Sequence, residues 1–174
     1  YTLSLSSFSP TLSSILFSPH SSFFPPASPL PGGIVTEGPD VRLGESWHRG
    51  SVVLSWDDVR CGAADIHDGD NVVFHEFSHQ LEDSGATGDS TPAFRSQSSY
   101  ITWARVLQRD YKRLRRDVSR HRKTFLNEYG ATNLAEFFAV ATEYFFEKPK
   151  ELRELHPELY RELKFFYQQD PAEL

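Results

Sequence analysis

The chain has 174 residues, a net charge of −6, and one cysteine, Cys61. That length fits one domain, and the acidic balance argues against non-specific nucleic-acid binding. A lone thiol excludes an internal disulfide and a cysteine-based zinc site, and it fits a reducing compartment such as the cytoplasm.

No stretch is long and apolar enough to span a bilayer, so no membrane partner is expected. The aromatic share of 14% is expected to fill a core with Phe, Tyr and Trp.

Residues 1–36 contain no Asp, Glu, Lys or Arg and are rich in Ser, Pro and Phe. This composition predicts a loosely ordered arm over 1–41, followed by one folded domain over 42–174. Pro10, Pro19, Pro25 and Pro26 interrupt every apolar run, and no basic n-region precedes one. A secretory signal is therefore not expected, and the lack of Arg excludes a transit peptide. The chain begins at Tyr1 and has no Met, the marks of a fragment or an altered reading of a longer gene.

The β-rich run from Gly50 to Trp56 predicts a strand, and Trp56-Asp57-Asp58-Val59 the start of a short helix. By analogy such a strand could hold an extended substrate backbone; plain packing is the simpler role.

Next comes His75-Glu76-Phe77-Ser78-His79, a match to H-E-x-x-H. On a helix, residues four apart lie one turn above each other on the same face. Both imidazoles can then point at one ion, and zinc accepts such nitrogens at about 2.0–2.1 Å. Glu76 projects beside the ligand row, where it can act as a general base. The same pattern could be a polar patch or a satisfied pair of histidines. The apolar neighbours Val72, Val73, Phe74 and Leu81 argue that this helix faces inward, where the histidines need partners.

Residues 83–99 carry Gly, Ser, Asp and Pro and are expected to be a loop. Residues 100–122 repeat apolar positions at Trp103, Leu107, Tyr111, Leu114 and Val118. This is an amphipathic helix whose outer face carries Arg113, Arg115, Arg116, Arg120 and Arg122. A solvated face explains these arginines most simply; docking of an acidic partner is the sharper alternative.

A further helix is expected to begin near Asn133, with Phe137, Phe138, Val140, Ala141, Tyr144 and Phe145 as its apolar surface. Glu136 and Glu143 are seven apart and fall on nearly one face. A catalytic zinc needs a third protein ligand, and Glu136 is the leading candidate, ahead of Glu143. Alternatively, Glu136 closes a capping box with Asn133, and Glu143 is a surface charge or a partner for a ligand histidine. Residues 150–167 read as a helix or a pair broken near Pro157.

Four segments now form a pattern: Leu43–Val59 (LGESWHRGSVVLSWDDV), Asn71–Leu81 (NVVFHEFSHQL), Tyr129–Glu147 (YGATNLAEFFAVATEYFFE) and Phe165–Pro171 (FFYQQDP). Together they resemble the Mlc titration factor A family of bacterial zinc-dependent peptidases, over a span running from Arg42 to Pro171.

The resemblance implies an α+β, mainly helical, zincin-like catalytic domain with a small sheet beside the H-E-x-x-H helix. It also implies one zinc ion per chain, with His75, His79 and Glu136 as ligands and Glu76 as general base. The arrangement is similar to that of lethal factor-type zinc proteases, in which a tyrosine seven residues before the glutamate ligand helps stabilise the reacting oxyanion. Tyr129 holds that position here. Glu143 becomes the group that orients a ligand histidine.

The implied function is a zinc metallopeptidase acting on peptide substrates, with aminopeptidase cleavage as one form. The alternative is a regulatory protein that sequesters a transcriptional repressor, with peptidase activity secondary or lost. A purely structural zinc would need a fourth protein ligand, for which His48, His67 and His121 are the residues to consider; they are expected to be ordinary surface histidines. Two departures from the family stand out. The usual helical N-terminal region is replaced by the Ser/Pro/Phe-rich arm. An extra upstream histidine described in some members would fall near Glu37 or Gly38, where none is present.

Overall fold

Val52-Val53-Leu54 is an unbroken apolar run, which suits a strand covered on both faces. The computed structural model, which describes residues 14–18, 44–47, 51–86 and 97–174, bears this out. All three side chains are buried. Strand β3 (Ser51–Ser55) is the middle of a three-stranded sheet. On one side β1 (Ser14–Ser18) runs parallel to it, with Ser14 opposite Ser51. On the other, β2 (Gly44–Trp47) runs antiparallel, with Gly44 opposite Leu54. Both edges of β3 are therefore occupied. It is a packing strand, not an edge that a substrate backbone could join.

Strand β1 departs from the reading of 1–41 as a poorly ordered arm. Ile15-Leu16-Phe17 is a short run of strand-forming residues that charge-free composition alone does not reveal. Phe17 meets Trp56 edge-on, with ring centroids 5.5 Å apart. The rest of 1–41 lies outside the described residues, as does His48.

Helix α1 (Trp56–Ala64) follows β3 directly. The Ser55 hydroxyl accepts from Asp58 N, and Asp57 and Asp58 suit the positive end of the helix dipole. Helix α2 (Val72–Ala86) packs against β2 and β3, which puts the small sheet beside the H-E-x-x-H helix.

The expected loop is shorter at both ends than its composition suggested. α2 continues to Ala86, and α3 (Gln97–Ser119) begins before residue 100. Along α3, Trp103, Leu107 and Leu114 are buried and Arg113, Arg115 and Arg116 are exposed. The helix ends at Ser119, short of the expected residue 122, so the exposed Arg120 and Arg122 lie beyond it.

At the centre lies α4 (Leu134–Glu147), in which every residue from Phe137 to Glu147 is buried. A helix buried on all sides needs neighbours all round. These are α2, α3, α5 (Pro149–Leu155), α6 (Pro157–Tyr167) and a 3-10 turn at Glu128–Ala131. The aromatic residues do fill this core. Phe138 meets Trp103, Phe166 and Tyr167, and Phe145 meets Tyr160 and Tyr167. Tyr167 also holds α4 through its hydroxyl, 2.9 Å from Thr142 Oγ1.

Pro149 and Pro157 each open a helix, the position where a missing N–H costs least. Among the described residues no helix is long and apolar enough to cross a membrane.

Candidate metal centre

Helices α2 and α4 bring the expected residues together. His75 and His79 sit one turn apart on α2, with ring centroids 5.0 Å apart. Both aim Nε2 at one carboxylate oxygen of α4, Glu136 Oε2, which is 2.9 Å from His75 and 3.5 Å from His79. Ligand atoms from these three residues all lie within 4.8 Å of one another. Two imidazole nitrogens and one carboxylate oxygen converging in this way form a donor set that suits a divalent cation, zinc in particular.

Glu136 serves two ends. Its backbone N–H donates to the N-cap Asn133 Oδ1 at 2.9 Å, while its carboxylate faces the histidines. Only the N-cap half of the expected capping box is present: the carboxylate that would close it on the Asn133 N–H turns to the histidines instead. Glu143 lies two turns on, with Oε1 2.8 Å from His75 Nδ1. This is the partner reading, not the surface-charge reading. The contact favours the tautomer that keeps a proton on Nδ1 and frees Nε2 for a metal.

Glu76 is 7% exposed, and its charge acts on His75. Tyr129 is on the 3-10 turn, 54% exposed, with its ring centroid 5.8 Å from that of His75. It stands at the rim of the centre. Of the proposed fourth ligands, His67 and His121 are exposed and do not join the metal-capable group.

Sequence reasoning missed the support behind the candidate ligands. Asn71 Oδ1 accepts from Val73 N at 3.1 Å and from Phe74 N at 3.3 Å, which caps α2. The Asn71 N–H donates to Glu143 Oε2 at 2.6 Å, and its Nδ2 donates to Glu147 Oε1 at 2.8 Å. An Asn just ahead of an apolar-periodic run was the available signal for the cap.

The electrostatics favour a cation. Burial pulls the His75 pKa down, but hydrogen bonds with Glu136 and Glu143, and the charges of Glu143 and Glu76, outweigh it and push it from 6.5 to about 10. Hydrogen bonds from His75 and His79 hold Glu136 at about 2. Burial pushes Glu143 up, opposed by its bond to His75.

In the metal-free protein, the His75 shift adds stability that is complete below 6.5 and lost as pH rises through about 10. The Glu136 shift adds stability present above 4.5 and lost as pH falls through about 2.

A metal needs the His75 Nε2 lone pair, so it must displace a proton. Zinc titrated calorimetrically in buffers of different ionisation enthalpy should release at least one proton per ion, even at about pH 8, where an ordinary histidine is already neutral. Affinity should rise about tenfold per pH unit up to that range. Zero proton release would show that His75 is not held as a cation.

Two imidazoles and a carboxylate, on an H-E-x-x-H helix and its neighbour, form a group that could hold a metal ion. The chain belongs to the glucose-regulated metallo-peptidase M90 family, whose sequence profile matches residues 2–168. It is 39% identical over 143 residues to an uncharacterized protein of Synechocystis sp., covering 81% of this chain and 52% of that protein. It is 35% identical over 142 residues to Mlc titration factor A of Serratia proteamaculans, covering 80% and 53%. The Yersinia pestis protein of the same name is 32% identical over 142 residues, covering 80% and 52%. The chain thus spans about half the length of these relatives.

Proposed function

We propose that the protein is a zinc-dependent peptidase in which His75, His79 and Glu136 hold one zinc ion. The observation that carries this reading is the convergence of both histidine Nε2 atoms on Glu136 Oε2. When bound, zinc supplies Lewis acidity and lowers the pKa of a water towards about 7.

The chain's own groups do the rest. Glu76 takes the proton from the attacking water and passes it to the leaving amine. The Tyr129 hydroxyl, at the rim, donates to the oxygen that becomes negative as the carbonyl is attacked. Glu143 keeps the His75 ring in register. Peptides are the substrate class, and aminopeptidase cleavage is one form the reaction takes. The single thiol, exposed and unpaired at Cys61, is in keeping with a cytoplasmic setting.

A second reading is favoured by the name borne by the Serratia and Yersinia relatives, Mlc titration factor A. On that reading the protein binds a transcriptional repressor and peptide hydrolysis is secondary.

Hydrolysis of a short peptide library, measured with and without chelator, separates the two. Peptidase activity should vanish with chelator and return with about one equivalent of zinc. A zinc-loaded chain with no hydrolysis would favour repressor binding, and hydrolysis indifferent to chelator would exclude the zinc mechanism.

A further inference from the structure

Three carboxylates line the face of α4 that meets α2: Glu136, Glu143 and Glu147. The first two touch His75. Glu147 is also buried, and both of its oxygens are engaged elsewhere. Oε1 accepts from Asn71 Nδ2 at 2.8 Å, and Oε2 accepts from Gly69 N at 3.0 Å. Neither contact belongs to the proposed chemistry; together they supply the hydrogen bonds that a buried carboxylate requires.

We propose that Asn71 and Glu147 are positioning residues for the metal centre, joined to it through Glu143. The inference rests on the zinc reading above.

The chain of contacts is continuous. Glu147 fixes the Asn71 side chain. The Asn71 N–H fixes Glu143 Oε2 at 2.6 Å. Glu143 Oε1 fixes His75 Nδ1 at 2.8 Å. A carboxylate held at both oxygens cannot swing about its last torsion, so the His75 ring cannot swing with it. Asn71 is itself fixed at the other end, since its Oδ1 caps the first turn of α2.

The backbone around this clamp is close-packed. A Cβ on Gly62 would come within 3.2 Å of Asn71 Cα. Gly69 has φ +78°, and a Cβ there would lie 2.8 Å from the Tyr144 ring. Only glycine lets the 69–71 segment reach Glu147.

A plain structural role would tie this segment to α4 and leave the metal indifferent. Zinc affinity distinguishes the two. It should be measured by chelator competition, together with the visible absorption of the cobalt-substituted protein and the melting temperature.

Glu147→Ala should weaken zinc binding about tenfold, the low end for outer partners of metal ligands, and should alter the cobalt spectrum. Glu147→Gln, which keeps one acceptor oxygen for Asn71 but sets its NH2 against the Gly69 N–H, should restore part of the affinity. In a Glu143→Ala background, Glu147→Ala should cause no further loss, because the route to His75 is already cut.

Unchanged affinity and spectrum in Glu147→Ala, or the same loss in both backgrounds, would overturn the proposal. Should the alanine chain fail to fold, Glu147→Asp gives the same comparison, being too short to hold both groups. A wild-type chain with no zinc affinity would overturn the metal reading itself, and the positioning role with it.

Discussion

Glu76→Gln is expected to lower peptide hydrolysis by about 10²–10⁴-fold while the protein still binds one zinc ion per chain. The substitution keeps shape and removes the basic oxygen. Glu76 is buried beside the proposed ligand His75, so a side chain of equal volume is needed to leave the packing intact. Its charge is one of the weaker influences on His75, behind the bonds to Glu136 and Glu143. Ligand geometry should therefore survive. The check is kcat together with zinc content on the same sample. Turnover near the wild-type value would mean that another group takes the proton.

Glu136→Gln should act on the metal first. It removes the one charged oxygen on which both Nε2 atoms converge. Changing a partner that stands behind a ligand costs about 10–100-fold in metal affinity, so changing the ligand itself should cost at least about 100-fold. Glu143→Gln should fall within that lower range, because Glu143 meets the nitrogen of His75 that faces away from Glu136. The order of the two effects is the informative result. Chelator competition measures both. If Glu143→Gln lost more zinc than Glu136→Gln, the roles of the two carboxylates would be exchanged.

The parts of this centre that repeat along one helix were legible in the sequence. His75 and His79 are four apart, and Glu136 and Glu143 are seven apart, so each pair could be placed on a face before any coordinates. The apolar stripe of α3 and the largely apolar body of α4 were legible for the same reason. Juxtaposition across elements was not. Nothing in periodicity says that Asn71 reaches Glu143 and Glu147 on a helix more than seventy residues away. That contact depends on how α2 and α4 cross, which tertiary packing decides.

Strand β1 was hidden for a different reason. Ile15-Leu16-Phe17 is short and sits among serines and prolines, so composition outweighed local strand propensity. Its partner β3 is distant in sequence, and only pairing made it a strand. Glu136 shows a third case. Two sequence readings competed for its carboxylate, and the structure turns it to His75, leaving Asn133 as a simple N-cap on the Glu136 backbone.

The most direct measurement is metal-edge X-ray absorption or crystallography of the zinc-loaded chain. One zinc ion should lie about 2.0–2.2 Å from His75 Nε2, His79 Nε2 and a Glu136 carboxylate oxygen, with no fourth protein ligand. Zinc held at other residues, or a fourth side chain closing the coordination sphere, would contradict the account.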